Sequence, residues 1–234
     1  MIAIYKRELR GYFTTPIGYI YLGAFFAISG FYWFAGSLLY GSSDLSLLFS
    51  TLFTISAFLA PVLTMRLFTE EKRNKTDQLL LTSPVSLTGL VAGKFLSALT
   101  VYTIGILITI AYQIVMSFYG TVQWSTYLGN LLGLFLLGAA ILAIGMFLSS
   151  LTENQVIAAV GGFGVALLLL LVDSLGSSVG SPWLQKATTA ISFYEQYAEF
   201  TMGLVNLPSV VFFASVVFLF GFLTVRVLEK RRWS

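Results

Sequence analysis

The sequence predicts an all-α polytopic membrane protein with six transmembrane helices, and three observations carry that prediction. Of its 234 residues 57% are hydrophobic and only 10% charged, against about 25% charged in a soluble domain, and the mean hydropathy is +0.88. Six apolar runs come close to the roughly 20 residues that a helix needs to cross about 30 Å of hydrocarbon. The Lys and Arg residues, finally, fall almost entirely on one side of the resulting topology. The chain has no Cys and no His, which removes disulfides, thiol chemistry and His-based metal or acid–base sites.

Residues 1–16 come first. Ile2, Tyr5, Leu9 and Tyr12/Phe13 recur at helical spacing with Lys6, Arg7 and Arg10 between them. This predicts an amphipathic helix on the inner membrane surface, stopped near Thr14-Thr15-Pro16; a disordered basic tail is the alternative. The first span, 17–40, is too long for a signal-peptide core and lacks an A-x-A site, so it is expected to be retained. Further spans follow at 47–68, 90–119, 127–151, 156–172 and 208–228, the third long enough to tilt or to project into water.

Placing the N-terminus in the cytoplasm puts twelve of the thirteen basic residues inside and leaves only Lys186 outside. Both termini are therefore expected to be cytoplasmic. The +3 net charge then reads as positive-inside bias and not as a nucleic-acid patch. Two outer connections, 41–46 and 120–126, are short. The outer segment 173–207 is longer and opens on DSLGSSVGSP, expected to be flexible. Leu184, Ala187, Ile191, Tyr194 and Ala198 then predict an amphipathic helix, resting on the outer surface or dipping in as a re-entrant piece.

No mid-span position carries a charge, and Asp173 and Arg66 stand near span ends within snorkelling reach. That disfavours an ion-coupled carrier. The nearest thing to a P-loop, Gly89 to Phe95, has one residue too few between its glycines, lacks Ser/Thr after Lys94 and follows no strand. With no intramembrane carboxylate pair and no G-x-S-x-G, the chain is expected not to be an enzyme. Energy for any uphill movement must come from a partner. Gly161-Gly162-Phe163-Gly164 and the Gly129/Gly133 pair are expected to let helices approach closely. Phe31-Tyr32-Trp33-Phe34 with Tyr40, and Phe118-Tyr119 with Trp124 and Tyr127, are expected at the outer interface, with a substrate-lining role as the alternative.

The densest charge lies in TEEKRNKTDQLLLTSPVS, Thr69 to Ser86. Thr69 or Thr76 can cap a helix, Glu70-Glu71 suit its N-terminus, Leu79-Leu80-Leu81 offer an apolar face and Pro84 ends it. Ser86 can cap the next helix. The product is a stubby helix parallel to the membrane. Topology explains the basic residues but not two glutamates, an aspartate, a triple leucine and a proline together. An apolar knob ringed by both charge signs suits a protein partner's groove; the alternative is a basic inner loop with its leucines among lipid headgroups.

The arrangement from Glu70-Glu71-Lys72-Arg73 through Thr76-Asp77-Gln78-Leu79-Leu80-Leu81-Thr82-Ser83-Pro84 to Gly93-Lys94 resembles the permease subunits of ABC-2-type transporters. The closest resemblance is to the gliding-motility-associated permeases. Lys6-Arg7-Glu8-Leu9 through Pro16, Ser192-Phe193 through Gly203, and Leu228 to Trp233 agree with it, so that nearly the whole chain is covered in order. One departure stands out: a Gly-Thr pair usually follows the charged cluster, and here it is Lys75-Thr76.

The resemblance implies a multi-pass protein of the bacterial inner membrane, working as a homodimer or heterodimer above separate ATPase subunits. Those subunits would hold ATP and Mg, and this chain would hold no cofactor. It implies an interfacial connecting helix at the N-terminus and a coupling helix in 69–86, with Glu70, Glu71, Lys72, Asp77, Leu79, Leu80 and Leu81 contacting the ATPase. It implies short re-entrant helices in the outer segment, with Glu195 and Glu199 fixing an outer gate. The lipid bilayer and an extracytoplasmic auxiliary protein complete the expected partners, and nucleic acid is not among them. The expected function is ATP-driven export; the alternative is a non-transporting membrane anchor or assembly factor that recruits an ATPase or an extracytoplasmic partner. The cargo is open, since neutral aromatic-rich spans fit lipids, peptides or other amphipathic molecules, and equally fit plain lipid contact.

Overall fold

The computed structural model describes residues 1–40, 45–76, 86–178 and 191–233, and every regular element among them is a helix. In chain order these are α1 (Ile2–Thr14), α2 (Pro16–Trp33, continued by a π-helical turn Phe34–Leu38), α3 (Ser46–Thr64), α4 (Thr69–Arg73), α5 (Leu87–Ile106), α6 (Ile108–Met116), α7 (Trp124–Leu151), α8 (Gln155–Ser178), α9 (Phe193–Thr201) and α10 (Leu207–Trp233). Among the described residues six stretches are long and apolar enough to cross a membrane: Pro16–Leu38, Ser46–Arg73, Leu87–Met116, Trp124–Leu151, Gln155–Val172 and Leu207–Arg232.

The fourth of these, α7, is the hub. Buried residues make up 67% of its apolar window, against 22% for the first span and 17% each for the fifth and sixth. It packs on α3, α5, α8, α9 and α10, and its small residues explain how. A Cβ on Gly138 would stand 2.1 Å from the Tyr102 ring, so only glycine lets α5 and α7 meet there. The Tyr102 hydroxyl donates to the Leu134 carbonyl at 2.8 Å and lies 3.1 Å from Ser56 Oγ, tying α5, α7 and α3 together. Gly162 of α8 rests on Pro61, the packing use expected of that glycine run, while Gly164 meets open space.

Four local features depart from the apolar pattern. The second span is interrupted after Thr64 and resumes as the one-turn helix α4; Pro61 stands inside α3 just before this break and removes one ladder donor. The third breaks between Ile106 and Ile108. The first ends in the π turn. The stretch expected to open the outer segment flexibly is helical from Asp173 to Ser178, because a helix already nucleated in the apolar run gains one hydrogen bond for each further residue it fixes. Residues 184–190 of the expected outer helix lie outside the described residues.

The face of α1 also differs from the expectation. Ile2 is 70% exposed, whereas Ile4 and Tyr12 are buried and Glu8 lies between them on the same stripe, four residues from each. Tyr5, Leu9 and Phe13 flank it half-buried. Periodicity alone favoured the purely apolar stripe; an ionic partner on α5 turns the helix toward the one with a carboxylate at its centre.

Candidate functional site

That partner is Lys94. It sits within the third span, on the second turn of α5, where Ser86 caps the helix by accepting from Gly89 N at 3.2 Å. Its side chain is 1% exposed. Its ammonium donates to the Leu67 carbonyl at 2.6 Å and lies 3.2 Å from Glu8 Oε1 and 3.0 Å from Glu71 Oε1. Arg7 closes the group from the rim, 2.7 Å from Glu8 and 2.6 Å from Glu71. Two cations therefore share two carboxylates, and three separate pieces of chain meet in one ionic knot: α1, α4 and the start of α5.

The knot is electrostatically consistent. Burial pushes the Glu8 carboxyl up, but Lys94 and Arg7 together outweigh it and hold it below the usual carboxylate range. Burial likewise opposes the Arg7 charge, and Glu8 and Glu71 overcome it and raise its pKa. A buried cation is tolerated only when paired and hydrogen-bonded, and Lys94 has a carbonyl, two carboxylates and, 5.2 Å away, the face of Phe68.

A second tie reinforces it. The Tyr12 hydroxyl donates to the Leu63 carbonyl at 2.6 Å. Arg66 lies 5.6 Å from the Tyr12 ring centroid, donates to Thr15 Oγ1 and pairs with Glu70 at 3.2 Å. By sequence Arg66 is a snorkelling residue and Lys94 one more inside lysine. Neither the knot nor Glu8 was anticipated, although an acid at the midpoint of an otherwise apolar i, i+4, i+8 stripe is the signal that would have found it.

The expected partner-facing residues divide. Of the two described acids Glu70 is the more open, with its side chain 45% exposed, whereas Glu71 is only 15% exposed and engaged in the knot. Lys72 is buried at 5%, and its ammonium donates to the Ser150 carbonyl at the end of α7, where a helix leaves carbonyls unpaired. Thr69 does not cap α4: its hydroxyl donates back to Met65 O at 2.6 Å, and Phe68 holds the cap position. Asp77, Leu79, Leu80 and Leu81 lie outside the described residues.

The turn that leads toward them is strained in an informative way. Lys75 has φ +55°, the left-handed region that costs a non-glycine residue about 1–2 kcal/mol. This is the position at which the resemblance leads one to expect Gly. Lys75→Gly is expected to raise thermal stability by up to about 1 kcal/mol, and Lys75→Val to lower it. A melting temperature that falls in the Gly variant would show that the turn is not left-handed.

At the other end of the molecule α9 covers α3, α7 and α10. Ser192 caps it, accepting from Glu195 N at 2.9 Å, the S-x-x-E spacing of a capping box. Its inward face is Phe193, Tyr197 and Phe200, with the Tyr197 hydroxyl donating to the Phe49 carbonyl at 2.8 Å. Ile191 and Tyr194, from the stripe expected in the sequence, point outward at 63% and 42% exposure. Glu195 is exposed. Glu199 is half-buried and accepts from Ser209 Oγ of α10 at 2.6 Å, so of the two glutamates only this one fastens α9 to the sixth span. Gly129 and Gly133 make the close approach expected of them, and make it to Gly203 and Phe200 within this chain.

Of the expected aromatic belt, Phe31, Tyr32, Phe34, Tyr40, Phe118, Tyr119 and Trp124 are exposed. Trp33 instead stacks on Tyr112 at 4.8 Å, and Tyr127 is buried. Among the described residues no group of His, Cys, Asp or Glu is placed to hold a metal ion. A sequence model of the family described as "ABC-2 family transporter protein" matches residues 5–225. No curated protein matches the sequence.

Proposed function

Because the chain belongs to the ABC-2 transporter family, as a multi-pass membrane component of it, we propose that it is the permease subunit of an ATP-driven exporter. It forms the translocation path as a dimer and is driven by separate ATPase subunits that hold ATP and Mg. The termini and the knot face the cytoplasm of a bacterial inner membrane, the side on which the basic residues gather. The motif resemblance favours the gliding-motility-associated branch of the family; gliding itself does not follow from a family name.

The observation that carries the reading is the ionic knot. A force delivered to the segment 69–86 reaches α1 through Glu71 and Glu8, and reaches the third span through Lys94. It also reaches the end of α7 through Lys72. Such a junction turns a push on one loop into movement of three elements together. In this proposal Glu70, Asp77, Leu79, Leu80 and Leu81 meet the ATPase, and Glu71 and Lys72 position them from behind. Outside, α9 with Glu195 and Glu199 forms the gate. The first, fifth and sixth spans keep the most exposed apolar surface, which supports an interface with a second permease chain and with lipid.

The test is a mild-detergent purification of the full chain from native membranes with its companions identified by mass spectrometry. A roughly stoichiometric P-loop ATPase is expected, and Leu79→Asp/Leu80→Asp is expected to abolish its recovery while leaving membrane insertion intact. Undiminished recovery with that variant would remove the coupling assignment. Absence of any ATPase, even after crosslinking from 69–86, would favour an anchor that recruits an extracytoplasmic partner.

A further inference from the structure

A slot of about 550 Å³ runs between α5 and α10. Its floor is Val91 of α5 and Met146 of α7, which are 5% and 1% exposed, and small residues keep it open. Ala92 stands on the α5 wall, and a Cβ added at Gly221 on the α10 wall would meet nothing within 4 Å. Phe218 and Phe222, 77% and 48% exposed, form the outer lip. From Val217 to Glu229 the α10 wall runs for about 18 Å at 1.5 Å per residue. One leaflet of a roughly 30 Å hydrocarbon core is about 15 Å deep, so the slot has the length of a single acyl chain.

The slot ends in charge. Among the described residues that line it, the charged ones are Arg226 and Glu229, at the end where α5 begins and α10 finishes. Lys230 and Arg232 follow them on α10. Arg226 donates to Glu229 at 2.8 Å, and its guanidinium lies 4.9 Å from the centre of the Phe222 ring, which holds it over the mouth. We propose that the slot binds one phosphatidylethanolamine molecule from the leaflet on that side, with an acyl chain between α5 and α10 and the headgroup on Arg226 and Glu229. The pair complements a zwitterion. Arg226 uses one of its five N–H donors on Glu229 and keeps others for a phosphate, while Glu229 accepts from a primary ammonium. A choline headgroup has no N–H to donate. A glycerol headgroup brings a phosphate beside Glu229 with no cation of its own to offset the two negative charges. A second protein chain laid over the slot would desolvate the Arg226–Glu229 pair, whereas a lipid headgroup leaves it at the water interface. The lipid is a fixed part of the seam between the third and sixth spans, not cargo, and its binding does not depend on any ATPase contact.

The full chain, stripped of lipid in maltoside detergent, would be titrated with phosphatidylethanolamine, phosphatidylglycerol and phosphatidylcholine of the same acyl chains. Native mass spectrometry reads the retained lipid, and the melting temperature is followed alongside. Phosphatidylethanolamine is expected to be retained in preference to the other two and to raise the melting temperature. Glu229→Gln, a change at an exposed side chain, is expected to weaken its retention about tenfold, the equivalent of one charge-assisted hydrogen bond, and to remove the preference over phosphatidylcholine. Gly221→Leu fills the slot and is expected to abolish retention while keeping or raising the lipid-free melting temperature, because the side chain enters open space and leucine is the better helix former. Equal retention of the three lipids, or retention unchanged in both variants, would overturn the proposal and leave ordinary annular lipid. Disulfide-linked dimers of Phe218→Cys in the membrane, where that cysteine is the only one in the chain, would overturn it as well and give the slot to a second copy.

Discussion

Lys94→Met is expected to cost the folded chain about 3 kcal/mol, the low end for removing one member of a buried ion pair. The loss comes from the carboxylates left behind. Glu8 and Glu71 would share Arg7 alone, on the knot's more exposed side, and the Leu67 carbonyl would lose its donor. Because Glu8 sits on the stripe by which α1 packs on α5, α1 should become the first protease-sensitive element in the full chain. Glu8→Gln combined with Lys94→Met is expected to recover part of the loss, since one stranded charge is gone. Thermal unfolding in detergent with limited proteolysis reads both effects, and losses that simply add would dissolve the knot as a unit.

The same residue sets a pH dependence. The folded chain holds the Glu8 carboxyl below its ordinary value of 4.5. The stability it contributes is therefore fully present above the ordinary carboxylate range and is lost as pH falls through the lowered value. Glu8→Gln should flatten that acid limb.

Gly133→Val is expected to have the second largest effect, about 1–3 kcal/mol of overpacking. A Cβ at Gly133 would lie 2.5 Å from Phe200 Cβ and 2.7 Å from its Cγ, so α9 must move outward. That movement would stretch the Tyr197 bond to Phe49 and the Glu199 bond to Ser209, which are 2.8 and 2.6 Å long. The native chain has no Cys, so Glu195→Cys gives one labelling site on the helix; spin-label mobility there should rise in Gly133→Val. Phe200→Ala should restore it, and the double variant should be more stable than the sum of the two changes predicts. Unaltered mobility would mean that α9 is not held by this contact.

The motifs were legible in the sequence when the knot was not. Charge-rich Glu70 to Arg73, the Gly129/Gly133 spacing and the Ser86 cap are local patterns, each visible within a few residues. Lys75 shows the limit of such patterns. By sequence a lysine stands where the resemblance leads one to expect glycine, and only the backbone shows that the position is left-handed.

Composition and periodicity by themselves determined the membrane as solvent, six helices able to cross it and an all-helical fold, because length and apolarity are properties of one segment at a time. What they left open was how each helix turns about its axis. Rotating α1 by one residue exchanges Ile2–Tyr5–Leu9 for Ile4–Glu8–Tyr12, and α9 likewise presents Phe193–Tyr197–Phe200 in place of Ile191–Tyr194–Ala198. Both faces of each helix are apolar enough to bury, so hydrophobic burial, which is non-directional, does not choose between them. The choice falls to directional contacts with distant residues: Lys94 for α1, and Gly133 with the Phe49 carbonyl for α9. Those partners lie tens of residues away in the chain, and only the tertiary structure brings them together.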